Sequence, residues 1–315
     1  MAKQFQNVHV IINPASGKDE PILNPINDVF GQYDIPWEAH ITHHAGDATR
    51  LTMEALEAGA DLIASYGGDG TLMEVINGMV GQGVPLGILS GGTSNSVGTE
   101  LGIPTDLRQA LQVIVEAPTR RQLDVGRCGD LYFMLRAFVG LPEDYLPDRK
   151  MKDSIGFLAY PISAVRFLKE RSPTRFHITV DDYEFEEDGI LCLVSNVGYS
   201  NSVRLQDMFE RVFLDVQVHK EEEAADTTIL NSISPEDGLL DVLLVTENKT
   251  ILQSLSSLPI RDKDSSLATA HLFQGKRISI SATPDQEINL DGEEGGKTPT
   301  QIEVVPKAIE IILPA

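Results

Sequence analysis

Between the apolar run Asp61-Leu62-Ile63-Ala64 and an amphipathic stretch, the chain carries Ser65-Tyr66-Gly67-Gly68-Asp69-Gly70-Thr71. Three glycines let the backbone approach a ligand closely and adopt positive φ where a turn demands it. After the turn, Leu72, Val75, Ile76 and Met79 recur at the spacing of a buried helical face. A helix beginning here would aim its unpaired N–H groups at an anion, and the Thr71 hydroxyl adds a donor. Asp69 would repel a phosphate unless a cation lay between them. Glycines, hydroxyl and carboxylate in this order therefore read as a site for a Mg²⁺-bound nucleotide.

The elements that must position this turn alternate in kind. Val8–Ile12, Trp37–Thr42, Asp61–Ser65 and Leu86–Leu89 read as strands, and Ile22–Gln32, Ala48–Ala58 and Leu72–Met79 as helices. That rhythm predicts a parallel sheet covered on both faces. Ligands of such sheets sit beyond the carboxyl ends of the strands. Polar clusters at 13–17, 42–47, 67–71 and 91–96 each follow a predicted strand, so all four should meet in one crevice. Asn13-Pro14 or Gly46-Asp47 alone would be ordinary turn chemistry. Their shared placement is what points to a ligand.

Past Asp124 the pattern changes to short β-rich runs separated by turns: 133–139, 175–180, 190–194, 213–218, 239–245, 277–281 and 288–290. These predict an antiparallel sheet or sandwich, interrupted by one helix over about 154–171. The expected organisation is an α/β domain over 1–125 and an all-β sandwich domain over 126–299. The tail, about 300–315, holds two β-rich runs that either finish the second domain or return to the first.

The 315 residues carry a formal net charge of −22, which excludes general nucleic-acid binding by repulsion. Residues 149–175 depart from this, with Arg149, Lys150, Lys152, Arg166, Lys169, Arg171 and Arg175 against Asp153 and Glu170. This basic segment is either a solvated helix face or a surface that approaches an anionic membrane. No apolar run approaches the roughly 18 residues of a membrane span, and the N-terminus does not read as a signal peptide. Cys128 and Cys192 lie far apart in apolar runs, as expected of buried free thiols in a reducing cytoplasm. His40, His43 and His44 have no cysteine or further histidine at zinc spacing and read as solvated loop residues.

Five segments in fixed order then define a resemblance: Asn13-Pro14-Ala15-Ser16-Gly17, Gly67-Gly68-Asp69-Gly70-Thr71, Gly92-Thr93-Ser94-Asn95, Asp237-Gly238-Leu239-Leu240-Asp241-Val242 and Asp291-Gly292-Glu293. Together they resemble the diacylglycerol kinase catalytic family, in particular its soluble bacterial lipid-kinase branch, over nearly the whole chain. A lone Gly-Gly-Asp-Gly would be less specific, since NAD kinases and phosphofructokinases carry similar turns.

The resemblance implies an α/β domain like that of NAD kinase and phosphofructokinase, a β-sandwich acceptor domain, and a nucleotide in the cleft between them. It implies nucleotide contacts from Asn13, Ser16, Gly17, Thr42, Gly67, Gly68, Asp69, Gly70, Thr71, Leu72, Met73, Gly92, Thr93 and Asn95. It makes Glu293 the proton acceptor and Asp291 its support, or a metal's. If the segment is extended, these two carboxylates point the same way. Taken alone, Asp291-Gly292-Glu293-Glu294-Gly295-Gly296 would be only an acidic hairpin tip. A second, structural Mg²⁺ site would use the Asp237 carboxylate with carbonyls of Ser234 and Leu239, oxygen ligands suited to a hard cation.

The implied activity is Mg²⁺-dependent transfer of the ATP γ-phosphate to a lipid hydroxyl, diacylglycerol first, by a cytoplasmic protein acting on lipid at a membrane surface. Two departures from the family pattern stand out. Ser96 replaces the aspartate expected after Asn95, and Met73 replaces a common asparagine. They motivate one alternative, a nucleotide-binding regulator with weak catalysis. An NAD kinase is the other.

Overall fold

In the computed structural model the described residues are 5–17, 20–116, 119–140, 173–197, 215–218, 234–247 and 268–314. The expected helix over 154–171 and the basic segment up to Ser172 lie outside them. The first half alternates β1 (Val8–Ile12), α1 (Leu23–Gln32), β2 (Trp37–Ile41), α2 (Asp47–Glu57), β3 (Leu62–Gly67), α3 (Asp69–Met79) and β4 (Leu86–Ser90). Two further helices, for which the sequence reading held no expectation, follow: α4 (Ser96–Glu100) and α5 (Leu107–Glu116). Strands β1, β3 and β4 are buried along their whole length, as strands covered on both faces must be. They pair in parallel in the order β2-β1-β3-β4, with Val8 beside Trp37 and Leu62, and Ile63 beside Leu86.

The second half is built of β5 (Thr119–Cys128), β6 (Leu131–Phe133), β7 (Arg136–Val139), β8 (Thr174–Val180), β9 (Tyr183–Gly189), β10 (Leu191–Ser195), β11 (Asp215–Val218), β12 (Leu240–Glu247), β13 (Ala268–Gly275), β14 (Arg277–Thr283), β15 (Glu287–Leu290), β16 (Glu293–Lys297) and β17 (Thr300–Leu313). The tail's two runs are one strand, β17, with a register break between Val305 and Ile309. It lies parallel to β4, with Ile311 opposite Leu86, and antiparallel to β5 and β14. Among the described residues, ten strands thereby form one sheet running through both halves, and seven form a second, β11-β13-β12-β10-β7-β15-β16.

Two apolar cores follow from this arrangement. One lies between the parallel strands and their helices, around Ile11, Tyr66, Val75, Leu89 and Leu111. The other fills the sandwich, where Phe176, Ile178, Ile278 and Ile302 from the first sheet meet Val194, Val242, Leu244 and Ile288 from the second. Period-2 burial along β8 and β14 leaves alternate residues inside. Cys128 and Cys192 are free and buried in the sandwich core, and burial pushes the Cys192 thiol up to about 12. Among the described residues no helix is long and apolar enough to cross a membrane.

Candidate active site

The glycine-rich turn opens a helix three residues earlier than its apolar periodicity indicates. Gly68 caps α3, and Asp69, Gly70 and Thr71 form the first turn. The periodic signal starts only at Leu72 because Asp69, Gly70 and Thr71 have no apolar side chain to extend it. Leu72 is 5% exposed and its N–H donates to the Gly68 carbonyl at 3.0 Å. The Leu72 side chain and N–H are therefore both spent inside the fold.

The strand-end loops converge as expected. The Gly91 and Gly92 N–H groups donate to the Gly67 carbonyl at 2.9 and 3.2 Å. A Cβ on Gly92 would lie 2.5 Å from the Gly68 Cα, so the two glycine turns touch backbone to backbone. The Asn13 amide donates to the Thr71 hydroxyl at 2.9 Å, and the Ser16 hydroxyl donates to the Asn13 carbonyl at 2.7 Å. The Thr93 hydroxyl lies 3.4 Å from where a side chain on Gly17 would begin. Asn95 (φ 48°) shapes its own turn, accepting from the Gly92 N–H at 3.0 Å and donating to the Gly92 carbonyl at 2.8 Å. The buried Thr42 is held by its N–H, which donates to the Ile12 carbonyl at 2.9 Å.

Beyond these loops lies a cleft of about 720 Å³, lined by Asn13, Thr42, Gly70, Thr71 and Met73 on one side and by Asp130, Leu131, Tyr132, Leu290, Glu293 and Glu294 on the other. His43, His44 and Glu74 also reach it. Asn77 ties the two sides together, accepting from the Tyr132 N–H at 3.1 Å and donating to the Met73 carbonyl at 2.7 Å. The 42–48 loop is pinned by two carboxylates. Asp47 accepts the N–H groups of His43 and His44, both at 2.9 Å. Glu74 accepts those of Gly46 and Ala48 at 2.9 and 3.0 Å.

The acidic motif behaves differently from its extended reading. Asp291 (φ 51°) and Gly292 (φ 104°) are the two central residues of the β15–β16 hairpin, between the paired Leu290 and Glu293. Asp-Gly is a preferred pair for so tight a turn, and the Asn289 side chain closes it by accepting the Gly292 N–H at 2.8 Å. The chain reverses here, so the two carboxylates separate. That of Asp291 turns inward and accepts the N–H groups of Met134 (2.6 Å), Leu135 (3.0 Å) and Arg136 (2.7 Å). These bonds explain why the expected strand over 133–139 is broken into β6 and β7. Burial pushes the Asp291 carboxyl above the usual range, against the pull of those three donors and of the Arg136 charge.

Glu293 is exposed and turns outward, over the first turn of α3. Its Oε1 lies 2.8 Å from where a Cβ on Gly70 would sit. Asp69 is therefore the next residue in chain from the point Glu293 overhangs. The Asp69 Oδ1 accepts the Val97 N–H at 3.2 Å, joining the starts of α3 and α4. From α4 the Glu100 carboxylate reaches the Arg136 guanidinium at 3.7 Å, with both side chains nearly buried. A continuous linkage thus runs from Asp69 through α4 and Arg136 to the hairpin that carries Glu293.

Electrostatically, amide groups at the α3 start face carboxylates from across the cleft. Among the described lining residues none is Lys or Arg, whereas Asp130, Glu293 and Glu294 are acidic. A polyphosphate could share this space only with cations, and the oxygen donors present suit a hard one such as Mg²⁺.

The Ser234–Leu239 turn lies elsewhere, against β5 and β17. The Asp237 N–H donates to the Ser234 carbonyl at 3.5 Å, and Asp237 Oδ1 accepts the Leu239 N–H at 2.9 Å. Its donors are all oxygens, as a hard cation needs. Sequence reasoning missed the residue that anchors this turn. Asp124, 1% exposed, accepts the N–H groups of Gly238 and Lys307, both at 2.7 Å, and donates its own N–H to the Pro235 carbonyl. It also missed Asn77, Glu74 and the Glu100–Arg136 pair, whose partners are distant in sequence. His40 needs a correction: it is no loop residue but lies in β2, with its Nε2 2.7 Å from Nδ1 of His9 in β1.

One sheet carried through both halves by a long terminal strand, with glycine turns at the ends of its parallel strands and a second sheet packed on its far half, defines an α/β unit joined to a β-sandwich. Residues 7–128 match the model of the diacylglycerol kinase catalytic domain, and residues 226–313 that of the YegS C-terminal NAD kinase beta sandwich-like domain. The chain is 30% identical to a diacylglycerol kinase of Staphylococcus saprophyticus, over 98% of its own length and 96% of that protein. It is 28% identical to a diacylglycerol kinase of Bacillus subtilis, over 98% and 97%. The crystal structure of a diacylglycerol kinase from Bacillus anthracis superposes with a TM-score of 0.70 at 22% identity, covering 99% of this chain and 98% of that one. The chain belongs to the diacylglycerol kinase family.

Proposed function

We propose that this protein is a lipid kinase that transfers the γ-phosphate of ATP to a lipid hydroxyl, with diacylglycerol the first substrate to test. The observation that carries this reading is the Glu293 carboxylate overhanging the Gly70 turn. A phosphate resting on the N–H groups at the start of α3 would lie beneath a base able to take a proton from the attacking hydroxyl. Leu131, Tyr132, Leu290 and Met73 give the same cleft an apolar lining, which suits an acceptor with hydrocarbon next to its hydroxyl. Leu131, 45% exposed, extends that lining outward. The lipid would be met at a membrane surface, with the protein working peripherally from the cytoplasm.

Most of the catalytic effect would come from alignment and charge compensation, since phosphoryl transfer asks little covalent chemistry of the protein. Glycine-turn amides would hold the phosphates, while Asn13 orients Thr71 beside them. Asp291 would act as a positioning residue, fixing through 134–136 the hairpin from which Glu293 projects. Mg²⁺, when bound, would neutralise charge on the transferring phosphate, with Asp69 and the carboxylates across the cleft as candidate holders. A second Mg²⁺ at Ser234, Asp237 and Leu239 would stiffen the turn that Asp124 already anchors.

Incubation with radiolabelled ATP, Mg²⁺ and a total lipid extract, followed by lipid chromatography, tests the proposal. A labelled phospholipid that grows when diacylglycerol is added is the expected result. With NAD also present, label passing to NAD and to no lipid, or ATP bound without transfer to any lipid, would contradict it.

A further inference from the structure

Outside the cleft, the rim of the first sheet carries three potential ligands on one face. His9 of β1 pairs with Glu38 of β2, and His40 follows two residues along the same strand face. Their ligand atoms all lie within 4.8 Å of one another, with His9 buried, His40 half-buried and Glu38 exposed. Among the described residues this is the single group of three or more His, Cys, Asp or Glu side chains so placed. We propose that His9, Glu38 and His40 form a binding site for a borderline divalent metal such as Zn²⁺, independent of any Mg²⁺ in the cleft.

The geometry favours this over a chance contact. The two imidazole planes are within 22°, and the ring centres are 5.0 Å apart with the nitrogens 2.7 Å apart between them. Each nitrogen therefore faces the other nearly in the ring plane, where its lone pair or proton lies. The tautomer of His9 is set from behind. Asn7 donates its Nδ2 to the Ala58 carbonyl at 3.2 Å, which turns its Oδ1 towards His9 Nε2, also at 3.2 Å. Since that oxygen can only accept, Nε2 carries the proton and Nδ1 presents a lone pair to the site. An oriented histidine with its second nitrogen donating to an oxygen is how metal-ligating imidazoles are usually supported.

Without metal, His40 Nε2–H donates to the His9 lone pair. On metal binding, the His40 proton would move through solvent to its Nδ1, freeing Nε2 as a ligand with no net proton change. Two nitrogens at about 2.0–2.1 Å from one tetrahedral ion lie about 3.3 Å apart, so the rings must part by about 0.6 Å and each turn by about 35° to aim its lone pair at the ion. Two imidazoles and one carboxylate suit Zn²⁺, whereas Mg²⁺ prefers oxygen ligands and retains its water. The ion would join β1 to β2, the edge of its sheet. These strands lead into the 13–17 and 42–47 loops of the cleft.

The test uses the full, tag-free chain, stripped with chelator and titrated in excess Mg²⁺ with Zn²⁺ against a chromogenic chelator, and in parallel with Co²⁺ by absorption. One equivalent of Zn²⁺ should bind tightly, and Co²⁺ should give the d–d bands of a tetrahedral site. His40→Asn and Glu38→Gln, both changes on an exposed edge, should weaken binding by about tenfold or more and abolish the Co²⁺ bands. Asn7→Ala should weaken it by about 10–100-fold through loss of the outer partner. The double change His43→Asn with His44→Asn should leave binding as it was. Circular dichroism checks that each variant is folded. No tight equivalent in the wild type, an affinity unaltered by His40→Asn, or loss of binding in the His43/His44 variant would each overturn the proposal.

Discussion

The cleft has two walls made of opposite materials. One presents backbone: glycine turns so close that Gly92 leaves no room for a Cβ beside Gly68, and amides at the start of α3. The other presents side chains: Leu131, Tyr132 and Leu290 interleaved with Asp130, Glu293 and Glu294. Backbone amides bind anions without regard to what is transferred, so the first wall suits a phosphate donor. Side chains discriminate, so the second suits an acceptor and its chemistry. The same division runs through the hairpin itself, where Asp291 is consumed by three backbone N–H groups and Glu293, two residues on, projects into the cleft.

If the division is right, the walls should fail in different ways. Glu293→Gln keeps the shape and removes the proposed base. Phosphate transfer should fall by about 10²–10⁴-fold with nucleotide affinity nearly unchanged, read from steady-state kinetics and nucleotide titration. A fall within a few fold would move the base elsewhere. Gly92→Ala attacks the opposite wall by forcing a Cβ to 2.5 Å from the Gly68 Cα. Overpacking of this kind costs about 1–3 kcal/mol of stability, and relieving it must move the turn whose amides would face the phosphates. Calorimetry should show this displacement as weaker nucleotide binding.

Asp291→Asn sharpens the contrast within the hairpin. The amide cannot accept three N–H groups as the carboxylate does, so denaturant unfolding should show a loss of about 1.5–3 kcal/mol. Activity should fall because Glu293 is less well positioned, with substrate affinity affected alongside turnover. The smallest effect concerns the 42–48 loop. The His43 N–H, then Arg50 and the His44 N–H, hold the Asp47 carboxyl well below the usual range. A carboxylate with a depressed folded-state pKa adds stability above its unfolded value, about 3.9, and loses it as pH falls towards the folded one. The urea midpoint difference between wild type and Asp47→Asn should therefore be constant above about pH 5 and shrink below pH 4.

What could be read from the sequence divides along the same line. The backbone wall was legible because its signals are local. Apolar strands ended by Gly-Gly-Asp-Gly-Thr or Asn-Pro-Ala-Ser-Gly announce both the element and the crevice at its end. Even there, the start of α3 was read at Leu72 rather than Asp69, since its first turn has no apolar residue to continue the period. The side-chain wall was less legible because its geometry depends on long-range partners. Asp291 looks like a second active-site carboxylate until residues 134–136 are seen to occupy it. His40 looks solvated until His9, 31 residues earlier, is seen beside it. Strand β9 escaped notice because Tyr-Glu-Phe-Glu-Glu-Asp at a sheet edge buries almost nothing. Asp124 looked like a domain boundary, whereas its carboxylate joins the 234–239 turn to β17.

Amide hydrogen exchange with and without ATP and Mg²⁺ tests most directly whether both walls close on one nucleotide. The account predicts coincident protection of the 67–73 and 91–97 segments and of the 289–297 hairpin, at a single nucleotide concentration midpoint. Protection confined to the glycine turns, with the hairpin exchanging as it does in the free protein, would contradict it.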